Sequence, residues 1–183
     1  MLAQAATVTA RILRFRAGPQ DFPYSAALTR TIVAATLITS FLQYRLTLAT
    51  FPALVHAVVS VAVLAAFTWQ LLRLRKLESR AQQTVNSLFI TGSALTLLLL
   101  GPLAAIAPQM LKIAENPDLA ATEPLPALPM LAVLVLSLWN LAVSANIYRH
   151  ALNLNLAIGV AVSLLGALVS VSVAGTLSTL VAP

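Results

Sequence analysis

The residues best suited to chemistry are scarce in this chain, and their distribution excludes several reaction classes. No cysteine occurs among the 183 residues. Thiol catalysis, disulfides and cysteine metal sites are therefore removed, and the redox compartment is left undetermined. No aspartate or glutamate falls inside a long apolar stretch. There is no H-E-x-x-H, no G-x-S-x-G and no glycine-rich phosphate loop. Nothing pairs a nucleophile with a reachable base, so no catalytic centre is expected. No cofactor and no metal site is expected either.

What remains is polar but mostly neutral. Ser137, Asn140 and Ser144 recur at spacings of three and four, on one face of a helix. Such a stripe serves as hydrogen-bonding glue between helices, which is the favoured reading. As the lining of a path it would need partners of like character. His56 lies about one turn inside an apolar stretch, and Arg30 one turn inside another. His56 reads chiefly as a neutral histidine bonded to a neighbouring helix, and otherwise as a ligand or proton acceptor. Arg30 reads as an arginine whose head reaches the water boundary, and otherwise as a contact for a lipid phosphate or an anionic substrate. Gly159, Ser163, Gly166, Ser170 and Ala174 form a face of small residues, which lets another backbone come close. That face is a candidate packing seam or docking face for a partner helix.

These residues sit on five apolar stretches, residues 26–44, 51–72, 84–107, 127–148 and 154–181. A bilayer crossing takes about 20 residues, and all five qualify. Apolar residues make up 60% of the chain and charged residues only 9%, against roughly 45–50% and about 25% in soluble domains. The runs are continuously apolar, which favours helices over barrel strands. The expected fold is an all-α polytopic bundle of five transmembrane helices. Residues 1–183 form a single integral membrane domain, with residues 1–25 as a cytoplasmic amphipathic segment. Gly101-Pro102 predicts a bend in the third span. Prolines 108, 117, 124 and 126 predict a non-helical external loop, with at most one turn over residues 110–114.

Charge predicts the orientation. With five crossings, Arg11, Arg14, Arg16, Arg30, Arg73, Arg75, Lys76, Arg80 and Arg149 share one side, and Arg45 and Lys112 the other. This nine-to-two division places the nine in the cytoplasm, with the N-terminus inside and the C-terminus outside. The two histidines then lie on opposite sides and cannot share a metal. Val8, Ile12 and Phe15 share a face flanked by arginines, which predicts a short interfacial helix ended by Gly18-Pro19. Arg11, Arg14 and Arg16, together with Arg73, Arg75, Lys76 and Arg80, are candidate contacts for anionic lipid headgroups. The net charge of +6 thus belongs to the membrane, and no nucleic-acid partner is expected.

Residues Arg14-Phe15-Arg16-Ala17-Gly18-Pro19-Gln20-Asp21-Phe22-Pro23 give a basic lead and a proline-containing approach to the first span. With the five-span layout, this resembles the Yip1-like membrane proteins, including small bacterial members. The resemblance implies a cytoplasmic N-terminal segment and an outward C-terminus. The long acidic N-terminus of eukaryotic members is missing here. The alanine- and leucine-rich composition points to a bacterial inner membrane. The first functional expectation is a non-enzymatic scaffold, assembly factor or accessory subunit that packs against other membrane proteins or a second copy. The second is a small transporter or channel whose path is assembled from several copies. A lipid-acting membrane enzyme ranks third.

Overall fold

The computed structural model describes the backbone of residues 1–181 and the side chains of residues 1–177. The expected outward position of the C-terminus falls on residues 182–183, outside the described residues. Among the described residues there are seven α-helices and no strand: α1 (Leu2–Leu13), α2 (Ala26–Tyr44), α3 (Thr50–Leu74), α4 (Ala81–Glu115), α5 (Leu119–Thr122), α6 (Ala127–Leu152) and α7 (Leu156–Val181). Five of them, α2, α3, α4, α6 and α7, are long and apolar enough to cross a membrane. The chain is an all-α helical bundle of the integral membrane type.

The five long helices close a ring in the order α2, α4, α6, α7, α3 and back to α2, with α3 also touching α4. One end of the ring, the near end, gathers the α1–α2, α3–α4 and α6–α7 connections. The far end gathers the α2–α3 turn and the α4–α6 loop. Helix starts and stops follow local chemistry. The Ser25 hydroxyl accepts the Leu28 N–H at 3.3 Å and caps α2. Asp21 instead accepts the Gly18 N–H at 2.9 Å and closes the preceding turn.

Three helices end at the near side in the same way. Phe15, Lys76 and Asn153 take left-handed backbone angles, with φ of 60°, 56° and 53°. The next N–H in each case returns to a carbonyl five residues back: Arg16 to Arg11, Leu77 to Leu72 and Leu154 to Arg149. So α1 stops at Leu13, before the Gly18-Pro19 pair that was expected to end it. A left-handed residue closes a helix at once, and Phe15 does so here.

The far end departs from expectation. α4 does not stop before Pro108 but runs unbroken through Pro102 and Pro108 to Glu115. The expected loop from residue 108 therefore begins only at Asn116, and it contains the short helix α5. Each proline removes one ladder bond without ending the helix, as happens in membrane helices where neighbouring groups meet the freed carbonyls. The loop folds back on this extension: the Gln109 side-chain amide donates to the carbonyls of Glu123 and Pro124, the latter at 2.9 Å.

α1 lies on the outer flank of the ring. Ala5, Val8 and Ile12 are buried with Phe22 and Phe89. The Trp139 indole N–H donates to the Leu13 carbonyl at 3.0 Å. Trp139 stands halfway along α6, so α1 is docked part way along the spans rather than only at their near end. Its apolar face finds a partner in the ring flank, which also accounts for a tryptophan at mid-span.

Candidate functional site: an uncharged polar cavity

The inside of the ring is not filled. Two adjoining cavities of about 290 and 250 Å³ share Leu64, Leu88, Gly92, Asn140 and Ser170 in their walls. The first reaches Ser137, Ser144 and Tyr148 on α6, and Ser163 and Gly166 on α7. The second reaches toward the far end along Thr36, Thr39, Ser40 and Gln43 on α2, with Ser60, Ser93 and Thr96 opposite. No aspartate, glutamate, lysine, arginine or histidine lines either one. The chemistry on offer is neutral hydrogen bonding.

Gly92 produces the junction. A Cβ built there would meet nothing within 4 Å, so the missing side chain is open space common to both cavities. Asn140 faces the same junction. It is half-buried, and its amide makes no hydrogen bond to the described protein. The Ser163 hydroxyl is buried in the wall and also lacks a partner. Other hydroxyls are tied down: Ser93 bonds Thr36 at 3.0 Å, Thr36 bonds the Ile32 carbonyl at 2.8 Å, and Ser170 bonds the Gly166 carbonyl at 2.9 Å. Polar groups without partners inside an apolar ring cost several kcal/mol if left dry. A space of this size and polarity holds water or a small polar molecule.

The near end of the cavity is sealed. The Tyr148 hydroxyl and Thr68 Oγ1 are 2.8 Å apart, both deeply buried. Phe67 packs edge-on to the Tyr148 ring at 6.3 Å. Beneath them Arg80 donates to the Ala151 carbonyl at 3.2 Å and to Asn153 Oδ1 at 3.1 Å. Gln83 donates to the Phe22 carbonyl at 2.7 Å. The wall on α6 is thinner: Ser137, near mid-span, is exposed, and the buried residues of α6 begin only at Val143. Tyr44 stands in the far wall, and His56 packs on its ring at 5.3 Å.

The candidate residues are thus sorted by position. Ser137, Asn140 and Ser144 meet Ser163, Gly166 and Ser170 across one cavity. Gly159 and Gly166 are contact points: a Cβ on Gly159 would lie 2.5 Å from the Ala145 carbonyl oxygen, and one on Gly166 would lie 3.1 Å from the Phe67 ring. Ala174 is half-buried and outside the cavity. His56 is buried outside the cavity, and Arg30 is exposed. Arg11, Arg14, Arg16, Arg73, Arg75 and Lys76 are exposed, with Arg73 lying 5.2 Å over the Trp69 ring. Arg80 differs from these in being half-buried, and it clamps the end of α6, where a cation suits the unpaired carbonyls. The α2 stripe of Thr36, Thr39, Ser40 and Gln43 was missed. Its spacing of three, one and three marks one helix face, and that was the available signal.

No family model matches the chain, and no curated protein or solved structure is significantly similar to it. The resemblance to Yip1-like proteins accordingly rests on the layout and on residues 14–23.

Proposed function

We propose that this protein is a non-enzymatic inner-membrane protein that admits small uncharged polar solutes into an intramembrane cavity, as a small transporter or channel would. The observation that supports this reading is the Asn140 amide, which lines the junction of two polar cavities and has no hydrogen bond among the described residues. Neutral walls select against ions, which lose their hydration shell without gaining a counter-charge. The sealed near end supports loading from the far side. The path lies within one ring, so this form of the reading needs no second copy. With the basic residues inside, the far side is the periplasm.

The test is reconstitution in liposomes with an osmotic swelling assay, using glycerol and urea as neutral probes and sodium chloride as the charged one. Wild type should pass the neutral probes well above protein-free vesicles and exclude the salt. Gly92→Leu, which fills the junction, should lower neutral flux by on the order of tenfold while leaving thermal stability intact. Equal flux in the variant and the wild type would sink the proposal. Stability separates the two roles of Asn140. If Asn140 lines the cavity, Asn140→Leu should raise the unfolding midpoint, because an unpartnered amide is removed. If it is glue, the same change should lower it.

One observation favours the scaffold reading as a second. The outer half of α6, before Val143, carries no buried residue. A stoichiometric helical partner found there by site-specific crosslinking from Leu134 would favour that role.

A further inference from the structure

A different cavity lies outside the ring, beneath α1. It measures about 530 Å³ and is walled by α1, α2 and α4. Its surfaces are largely apolar, with Ala10, Ala35 and Ala94 beside Leu2, Leu28 and Leu97 among its lining residues. Every hydroxyl in the wall is already engaged. Thr9 bonds the Ala5 carbonyl at 2.7 Å, Thr31 the Ala27 carbonyl at 3.2 Å, Thr39 the Thr36 carbonyl at 3.1 Å and Ser93 the Thr36 hydroxyl at 3.0 Å. The groove's hydroxyls therefore offer no free hydrogen-bond donor, and the groove suits an apolar occupant. Its length follows α1, twelve residues or about 18 Å.

Charge identifies the other end of that occupant. Leu13 lines the groove, and Arg14 and Arg16 follow it directly, both exposed. The one acid before Glu78 is Asp21, and its carboxylate is engaged with the Gly18 N–H. We propose that this groove holds one acyl chain of an anionic phospholipid whose phosphate headgroup rests on Arg14 and Arg16. The lipid then binds α1 to the ring flank, in a groove that shares Thr39 and Ser93 as wall with the polar cavity.

The test uses the whole chain in mild detergent, supplied with phosphatidylglycerol and phosphatidylethanolamine of identical chains and read by native mass spectrometry. One phosphatidylglycerol should be retained per chain, with a preference on the order of tenfold, given about 1 kcal/mol per arginine near an anionic surface. Ala94→Phe, which fills the groove, should abolish retention. The double variant Arg14→Gln, Arg16→Gln should abolish the preference. Arg45→Gln with Lys112→Gln removes the same charge at the far end, where both residues are exposed, and should change neither. If Ala94→Phe does not run as a single species, Ala35→Leu on the opposite wall supplies the same reading. Retention that survives groove filling, or a preference lost equally in the Arg45 and Lys112 control, overturns the proposal.

Discussion

At Gly159 the α6 and α7 backbones come so close that no side chain has room. The obstacle to a Cβ there is the Ala145 carbonyl, part of the α6 backbone, which cannot rotate aside. At Gly166 the obstacle is the edge of the Phe67 ring, which can tilt by a few tenths of an ångström. The two glycines therefore differ in kind. Gly159→Ala should destabilise the fold by about 2 kcal/mol, in the range of overpacked sites. Gly166→Ala should cost less than half of that. Thermal unfolding of both variants in detergent checks the order, and equal losses would show that the backbone contact at Ala145 yields as readily as the ring. Residue types on this seam were legible in the sequence, because small residues at spacings of four and three mark a face that admits close neighbours. What sits opposite them was not legible. Spacing along one helix says nothing of which helix comes near, so the meeting of Asn140 with Gly92 across the ring had no signal.

At the scale of elements, the five spans could be read directly, since uninterrupted apolar runs leave a helix as the only way to satisfy the backbone in lipid. Boundaries were harder where a rule drawn from water was applied to a membrane helix. Pro108 was read as a stop, yet α4 continues past it for seven residues to Glu115. The left-handed closures were also hidden. Gly or Asn is the usual residue at such a position, and only Asn153 fits. Phe15 and Lys76 hold the same backbone angles at a cost of roughly 1 kcal/mol each. Lys76→Gly should relieve that strain and raise stability by up to about 1 kcal/mol. A calorimetric midpoint in detergent that falls instead would mean that the lysine side chain contributes more than its backbone costs.

For the whole molecule, the basic residues and the ring agree on one asymmetry. The exposed arginines and Lys76 around the α3–α4 connector share the end that Tyr148, Thr68 and Arg80 close. The opposite end carries the loop with Glu115, Asp118 and Glu123. Reporter fusions at Ser79 and at Ala120 should fall on opposite sides of the membrane, with Ser79 in the cytoplasm. Both reporters on one side would remove one of the five crossings. α4 is about 52 Å long at 1.5 Å per residue, well beyond the ~30 Å of hydrocarbon. Its last turns therefore extend past the far boundary and carry the loop with them through Gln109.

The pairing between α2 and α4 also sets an order of events during synthesis. α2 is the least apolar of the five spans. Its inward hydroxyls reach across to α4: Thr29 accepts from Gln82 at 2.9 Å and from Asn86 at 2.8 Å, and Thr36 bonds Ser93. All three partners emerge from the ribosome only after α3 is complete. Until then α2 has to enter lipid with those hydroxyls served by nothing beyond its own backbone. Its residence in the membrane is provisional for the time it takes to translate the next two helices. Nascent chains arrested shortly after α3 should release α2 to alkaline extraction, whereas chains arrested after α4 should hold it. Any chaperone or insertase that serves this protein would meet it in that interval, with the first span waiting for the third.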